Sequence, residues 1–152
     1  MVICMRKVCY ATKREFGTLT ANKISDVAVN MDFQVDDIKG DDENESITIY
    51  LRKLYDLSPR YVFITIYGWA RCETLERLIN YTERQVDRVR RLLELADKIL
   101  SEYPIKGIKI NDDCVTFDFP VIHITDVQRL IESLRDHASE INEIKLNGRI
   151  RI

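Results

Sequence analysis

Residues 73–102 read ETLERLINYTERQVDRVRRLLELADKILSE, and the apolar positions in this stretch alternate at spacings of four and three. These positions are Leu75, Ile79, Thr82, Val86, Val89, Leu93, Ala96 and Leu100. Leu78, Leu92 and Ile99 widen the stripe to about three positions per heptad, which is broader than a two-stranded coiled-coil seam. The pattern therefore predicts one long helix, roughly 45 Å from end to end, lying against a sheet.

Three segments before this helix have the pattern of strands. Val27–Val35 strictly alternates apolar and polar residues, which is typical of a strand with one wet face. Ile47–Tyr55 and Tyr61–Tyr67 are rich in β-branched and aromatic residues. Because the connections are short, we expect an antiparallel meander. Val2–Tyr10 is a further predicted strand, whereas residues 11–26 have a composition that favours irregular backbone.

The segments after the long helix begin with a predicted hairpin. Pro104 ends the helix, because the residue before a proline avoids helical geometry. Ile105–Ile110 and Val115–Phe119 are strands whose apolar faces agree when Ile110 is opposite Val115.

A second helix and a second hairpin are predicted to follow. Thr125 and Gln128 have capping-box spacing, which indicates a shorter helix over about 126–138. Asn147-Gly148 then favours a turn, so residues 141–152 are expected to form a small terminal hairpin.

Together the elements predict a single α+β domain over residues 1–152. An antiparallel β-meander and a β-hairpin pack against one long helix (about 73–102) and the shorter helix (about 126–138). The order meander, helix, hairpin, helix is similar to that of small dimeric secretion chaperones, a resemblance of element order with no shared motif. Those chaperones begin with a helix, whereas this chain is predicted to begin with a strand.

The composition indicates a cytoplasmic globular protein. Of the 152 residues 45% are apolar and 32% are charged, and the net charge of −2 gives no overall attraction to nucleic acid or anionic membranes. No apolar run approaches the roughly 18 residues of a membrane span. The four cysteines lack metal-binding spacing, so we expect reduced thiols, no metal and no cofactor. Few glutamines among many Ile, Glu, Arg and Lys residues favour a thermophilic source.

Aromatic residues concentrate on and beside the third predicted strand. They are Tyr50, Tyr61, Tyr67 and Trp69. Tyr61 and Tyr67 share a strand face, with Phe63 between them. Core packing would explain these rings, but amphipathic rings near one end of a sheet are also typical of a protein interface. We therefore predict these four as candidate interface residues.

Four basic residues spaced by seven lie opposite the apolar face of the long helix. They are Arg77, Arg84, Arg91 and Lys98. Such a ridge could bind phosphates, but Glu73, Asp87 and Glu94 each precede one of these residues by four and are expected to neutralise it. A second basic patch, without interleaved aromatics, consists of Lys145, Arg149 and Arg151. The ridge, together with Arg149 and Arg151, makes up the candidate phosphate-contacting residues.

Glu143-Ile144-Lys145 matches the E-x-K half of a metal-dependent nuclease site. Asp118, or Asp112 with Asp113, could supply the second carboxylate, but the helix and strand that would continue the motif are missing. His123 has carboxylates nearby in sequence and no nucleophile placed beside it. We therefore predict no catalytic residue and keep a nuclease as a third interpretation.

The predicted helix is longer than the sheet it would cover. A nine-residue strand spans about 30 Å, and an overhanging apolar end invites a second copy or another protein. We therefore expect a non-enzymatic binding or adaptor module that has a protein partner or forms a homo-oligomer. A nucleic-acid-associated accessory protein is the alternative, and no membrane association is expected.

Overall fold

The structure, a computed structural model, describes residues 17–18, 20–41, 43–54, 58–68, 72, 74–111, 113–139 and 141–152. The predicted strand Val2–Tyr10 and the candidate residue Trp69 lie outside these ranges. The elements are α1 (20–30), β1 (Phe33–Asp41), β2 (Ser46–Lys53), β3 (Tyr61–Tyr67), α2 (Leu75–Glu102), β4 (Gly107–Asn111), β5 (Cys114–His123), α3 (Ile124–His137) and β6 (Glu143–Arg151).

The described strands form one six-stranded sheet in the order β1-β2-β3-β4-β5-β6. The β1-β2-β3 meander and the β4-β5 hairpin are antiparallel, as predicted, and Ile110 is opposite Val115. In contrast, β3 and β4 are parallel, and so are β5 and β6. The reason is that α2 and α3 return the chain across the sheet before the next strand begins. The sheet is therefore mixed and mostly antiparallel, and the sequence pattern does not predict its two parallel contacts.

The two helical crossovers differ in hand. Leu92 of α2 and Leu134 of α3 line one apolar cavity with Phe117, so both helices lie on the same face of the sheet. Both crossovers step in the same direction across the sheet, but β3 and β5 run in opposite directions. One crossover is therefore right-handed and the other left-handed, although strand twist strongly favours the right-handed form.

Helix α2 is a single 28-residue helix, as predicted. The Thr74 side chain accepts a hydrogen bond from the amide of Arg77 (3.2 Å) and so caps the first turn. Leu75 and Ile79, which the sequence places in the apolar stripe, are 50% and 39% exposed. Leu78 is buried between them, but the stripe is continuously sheltered only from Thr82 onward. The buried residues of α2 are Leu78, Thr82, Val86, Val89, Leu92, Leu93, Leu95, Ala96, Ile99 and Leu100.

One face of the sheet packs against the helices. Its buried side chains are mostly β-branched: Ile47, Ile49, Leu51, Val62, Ile64, Ile66, Ile108, Ile110, Val115 and Phe117. At the edge of this core the Lys53 ammonium donates to the Met31 carbonyl (2.8 Å) and to the Asp97 carboxylate of α2. These contacts fix the end of β2 to both the turn after α1 and the long helix.

The prediction of a strand over Val27–Val35 is wrong for its first half. The prediction of irregular backbone is likewise wrong for residues 20–26, which are helical. α1 continues to residue 30, and β1 begins only after a two-residue turn. Ile24, Val27 and Ala28 share one side of a helix and are buried, whereas Val29, which strand alternation would bury beside Val27, is 68% exposed. The spacing of these three buried residues fits a helix, and burial of this helical face prevails over the strand-like alternation that continues into β1.

The prediction of a terminal hairpin at Asn147-Gly148 is also wrong. Residues 143–151 form one strand, β6, which runs parallel to β5. A Cβ at Gly148 would lie 2.0 Å from the carbonyl oxygen of Phe119, so glycine serves the close approach of two strands rather than a turn. The Asn147 amide donates to Asp118 across the same pair of strands (2.8 Å).

Helix α3 confirms the predicted second helix, with a small shift at its start. It begins at Ile124, and the N-cap is His123 rather than Thr125. The His123 Nδ1 accepts a hydrogen bond from the Thr125 amide at 3.2 Å. The helix ends at His137 with Ala138 as its C-cap, close to the predicted boundary.

Candidate binding surface

The second face of the sheet, which we call the bare face, carries the alternate residues of the same strands. α2 and α3 pack on the opposite face, and no helix within the described residues covers this one. The register aligns two rows of side chains across the middle of the bare face. The first row is Tyr50, Phe63, Lys109, Thr116 and Lys145; the second is Arg52, Tyr61, Gly107, Asp118 and Asn147.

An aromatic cluster of Tyr50, Tyr61 and Phe63 lies at the centre of the bare face. The Phe63 ring centroid is 4.6 Å from that of Tyr50 and 4.4 Å from that of Tyr61. All three rings are half-buried. Tyr67 lies on the same face and is 37% exposed, but it is four residues, or about 13 Å, farther along β3 than Phe63. The structure thus groups two of the predicted interface tyrosines and separates the third.

The Tyr61 ring lies directly over Gly107 of the neighbouring strand. A Cβ at Gly107 would be only 2.0 Å from the ring carbon Cζ. Gly107 therefore leaves the space that allows the ring to lie across the sheet, and the ring covers backbone that would otherwise be open. The sheet thus occupies one face of the Tyr61 ring.

Asp118 anchors the edge of this cluster. The Tyr61 hydroxyl donates to Oδ2 of Asp118, and the Asn147 amide donates to Oδ1 at 2.8 Å. The Lys109 ammonium lies 3.9 Å from Oδ2, and the Asp118 side chain is only 14% exposed. A carboxylate this sheltered needs such partners. Together they hold the Tyr61 ring in place.

Charged side chains of both signs frame the aromatic cluster. Lys39 lies over the Tyr50 ring, 5.2 Å from its centroid. Arg52 pairs with Asp36 at 3.4 Å. Exposed pairs of this kind contribute little to stability. Their greater effect is on which partners the surface accepts.

The C-terminal basic patch also lies on the bare face. Lys145, Arg149 and Arg151 occupy alternate positions of β6, opposite Thr116, Val121 and His123 of β5. The patch is three strands from the aromatic cluster on β3, or about 14 Å. The aromatic cluster of β2 and β3 shares this face with the basic residues but is not interleaved with them.

The basic ridge of α2 is a separate surface. Arg77, Arg84, Arg91 and Lys98 are all exposed, on a helix that packs against the other face of the sheet. Asp87 pairs with Arg90 at 2.9 Å rather than with Arg91 as predicted. Lys23 of α1 pairs with Glu83 at 3.6 Å. The candidate phosphate-contacting residues therefore fall on two opposite sides of the molecule.

The residues of the E-x-K motif are only partly brought together. On the bare face, the Lys145 Nζ lies 3.7 Å from Oε1 of Glu143. Asp118, however, is opposite Asn147, four residues from Glu143 along β6, or about 13 Å. Within the ranges given above, no group of three His, Cys, Asp or Glu residues is placed so that it could hold a metal ion. Asp112 lies outside those ranges.

Comparisons with protein-family models, with curated proteins and with solved structures found no match. Within the described ranges, none of the helices has the combination of length and apolarity that a membrane span requires.

Proposed function

We propose that the chain is a non-enzymatic binding module that recognises a protein partner through its bare face. The observation that supports this most directly is the aromatic cluster of Tyr50, Tyr61 and Phe63 on a sheet face opposite the helices. Tyrosine and phenylalanine are enriched at the centres of protein interfaces, where their rings bury large areas at a small entropic cost.

The size of the bare face fits this role. Six strands spaced about 4.8 Å apart and on average about eight residues long form a footprint of roughly 29 by 26 Å, or about 750 Å². This is close to the roughly 800 Å² that each partner contributes to an interface of standard size. The half-buried rings lie near its centre, and the ionic side chains of Lys39, Arg52 and Lys109 surround them. Aromatic centres with polar rims are typical of specific protein interfaces.

Single-stranded nucleic acid is the second candidate ligand of the bare face. The half-buried Tyr61 and Phe63 rings could stack bases, and Lys109 on the adjacent strand could contact phosphates. The overall charge of −2 and the acidic side chains on the same face disfavour this reading. A protein partner is therefore preferred.

The test compares Phe63→Lys with Val29→Lys, a control that adds the same charge at an exposed site on α1. A partner captured by wild-type protein from the source cells is purified and titrated against all three chains by calorimetry. We expect wild type and Val29→Lys to bind equally and Phe63→Lys to lose at least about tenfold in affinity. Equal binding by Phe63→Lys would contradict the proposal.

A comparison of wild type with Phe63→Ala tests the second candidate ligand. A labelled single-stranded oligonucleotide is titrated at low and high salt, with fluorescence anisotropy as the readout. Oligonucleotide binding that weakens steeply with salt and is lost in Phe63→Ala would identify nucleic acid, rather than a protein, as the ligand of the bare face. No binding at low salt would exclude that alternative.

A further inference from the structure

The two edge strands of the sheet, β1 and β6, differ in how they are protected against pairing with another strand. β1 has a bulge between Val35 and Asp37 and carries several acidic residues. Bulges and like charges prevent an edge strand from pairing with a copy of itself. β6 is a nine-residue strand in which basic and acidic residues both occur. The register shift beside it adds the extra residue to β5, so β6 itself is not bulged.

Within the described residues, the outer edge of β6 is available for pairing. β6 is the last strand of the sheet, and no described strand bonds to its far side. Backbone N–H and C=O groups on such an edge form a template for another strand. Ile144 and Leu146, on the side of β6 facing the helices, are only half-buried and would gain cover from an added strand.

We infer that two copies of this chain associate by pairing their β6 strands antiparallel about a two-fold axis at Leu146. In this register Leu146 faces Leu146 of the partner copy, Lys145 faces Asn147, and Glu143 faces Arg149. The last pair occurs twice because of the symmetry. The inference concerns a different surface from the proposed function and does not depend on it.

Charge complementarity selects this register. A shift of two residues in one direction centres the pairing on Asn147 and sets Lys145 opposite Arg149. A shift in the other direction centres it on Lys145, which would then face itself. Like charges directly opposite each other are destabilising, and opposite charges are stabilising. Only the Leu146 register among these three sets Glu143 opposite a basic residue without creating a pair of like charges.

Such pairing would join two six-stranded sheets into one continuous sheet. The two bare faces would then lie side by side, with the basic residues of both β6 strands between two aromatic clusters. A partner protein or a nucleic acid would meet a surface twice as wide as that of one chain.

The first experiment exchanges the charges of the predicted pair. Glu143→Arg and Arg149→Glu each place like charges opposite each other in a homodimer, whereas an equimolar mixture of the two variants restores two attractive pairs. By sedimentation equilibrium we expect each variant alone to have a dissociation constant about tenfold higher than wild type. The mixture should regain wild-type affinity, and Arg84→Glu on α2, the control, should match wild type. A monomeric wild type at the highest attainable concentration, or no rescue in the mixture, would overturn the inference.

The second experiment tests the register through cross-linking. Residues directly opposite each other in an antiparallel pair lie about 4.5–5.5 Å apart at Cα, within the range of a disulfide. Leu146→Cys should therefore give covalent dimers under mild oxidation, and Asn147→Cys should not, beyond the background that wild-type cysteines produce. Dimers from Asn147→Cys alone, or equal yields from both variants, would show that the proposed pairing is wrong.

Discussion

The two faces of the sheet are built from alternate residues of the same strands, but they differ in side-chain type and burial. On β2 and β3 the covered face has Ile49, Val62 and Ile64, each at most 1% exposed. The bare face of the same strands has Tyr50 and Phe63, which are half-buried. The covered face therefore provides most of the stability, while the bare face can vary for recognition at a lower cost to folding.

The largest effect is expected from Phe117 on the covered face. Phe117 is fully buried between the sheet and the helices. Phe117→Ala should lower the free energy of unfolding by about 3–5 kcal/mol, because it removes buried area and leaves a cavity. Urea unfolding followed by circular dichroism measures the change. A milder variant, Ile64→Val, should cost about 0.5–1.5 kcal/mol. A loss below about 1 kcal/mol for Phe117→Ala would contradict this description of the core.

Gly107→Ala should be the most disruptive small change on the bare face. The added methyl group would overlap the Tyr61 ring, and the displacement should cost about 1–3 kcal/mol. The cost should fall markedly in a Tyr61→Ala background, where the ring is absent. A double-mutant cycle measures this coupling. Additive effects of the two substitutions would show that the ring does not lie over Gly107.

Phe63→Ala compares the two faces directly. Because Phe63 is only half-buried, its truncation should lower stability by about 1–2 kcal/mol, less than that of Phe117. Phe63→Ala should weaken partner binding more than Phe117→Ala does. Equal losses of stability for Phe63→Ala and Phe117→Ala would mean that the bare face is covered in solution.

The smallest effect is expected from the Tyr61 hydroxyl. Tyr61→Phe keeps the ring and removes the hydrogen bond to Asp118, at a cost of about 0.5–1.5 kcal/mol. Tyr67→Phe, at the exposed end of the same strand, is the control and should change stability by less than about 0.5 kcal/mol. Equal changes in thermal unfolding would contradict a stabilising role for this hydrogen bond.

The elements with a single consistent period could be predicted from the sequence. α2, β3 and the register of the β4–β5 hairpin are examples, since their burial pattern repeats along the element itself. The prediction of a strand is wrong for residues 27–32, because the end of α1 and the start of β1 together imitate one alternating strand. The prediction of a turn within β6 is wrong because Asn-Gly, which usually marks a turn, here places Gly148 against the backbone of Phe119.

The candidate site was predictable only along single strands. Tyr61 and Tyr67 share a face by their even spacing on β3, and the structure agrees. The contacts of Asp118 with Tyr61 and Asn147 depend on β5 lying two strands from β3 and beside β6. Strand order is set by how α2 and α3 return the chain, and no local pattern encodes it. A surface made across strands therefore required the structure.

The agreement between strand order and chain order has a consequence for biosynthesis. Each strand is laid beside the one made just before it, so a growing chain can extend the sheet without waiting for a later segment. Contacts between sequence neighbours also favour rapid folding. Of these six strands β6 is made last, so any contact through that strand can form only after the other five have been synthesised.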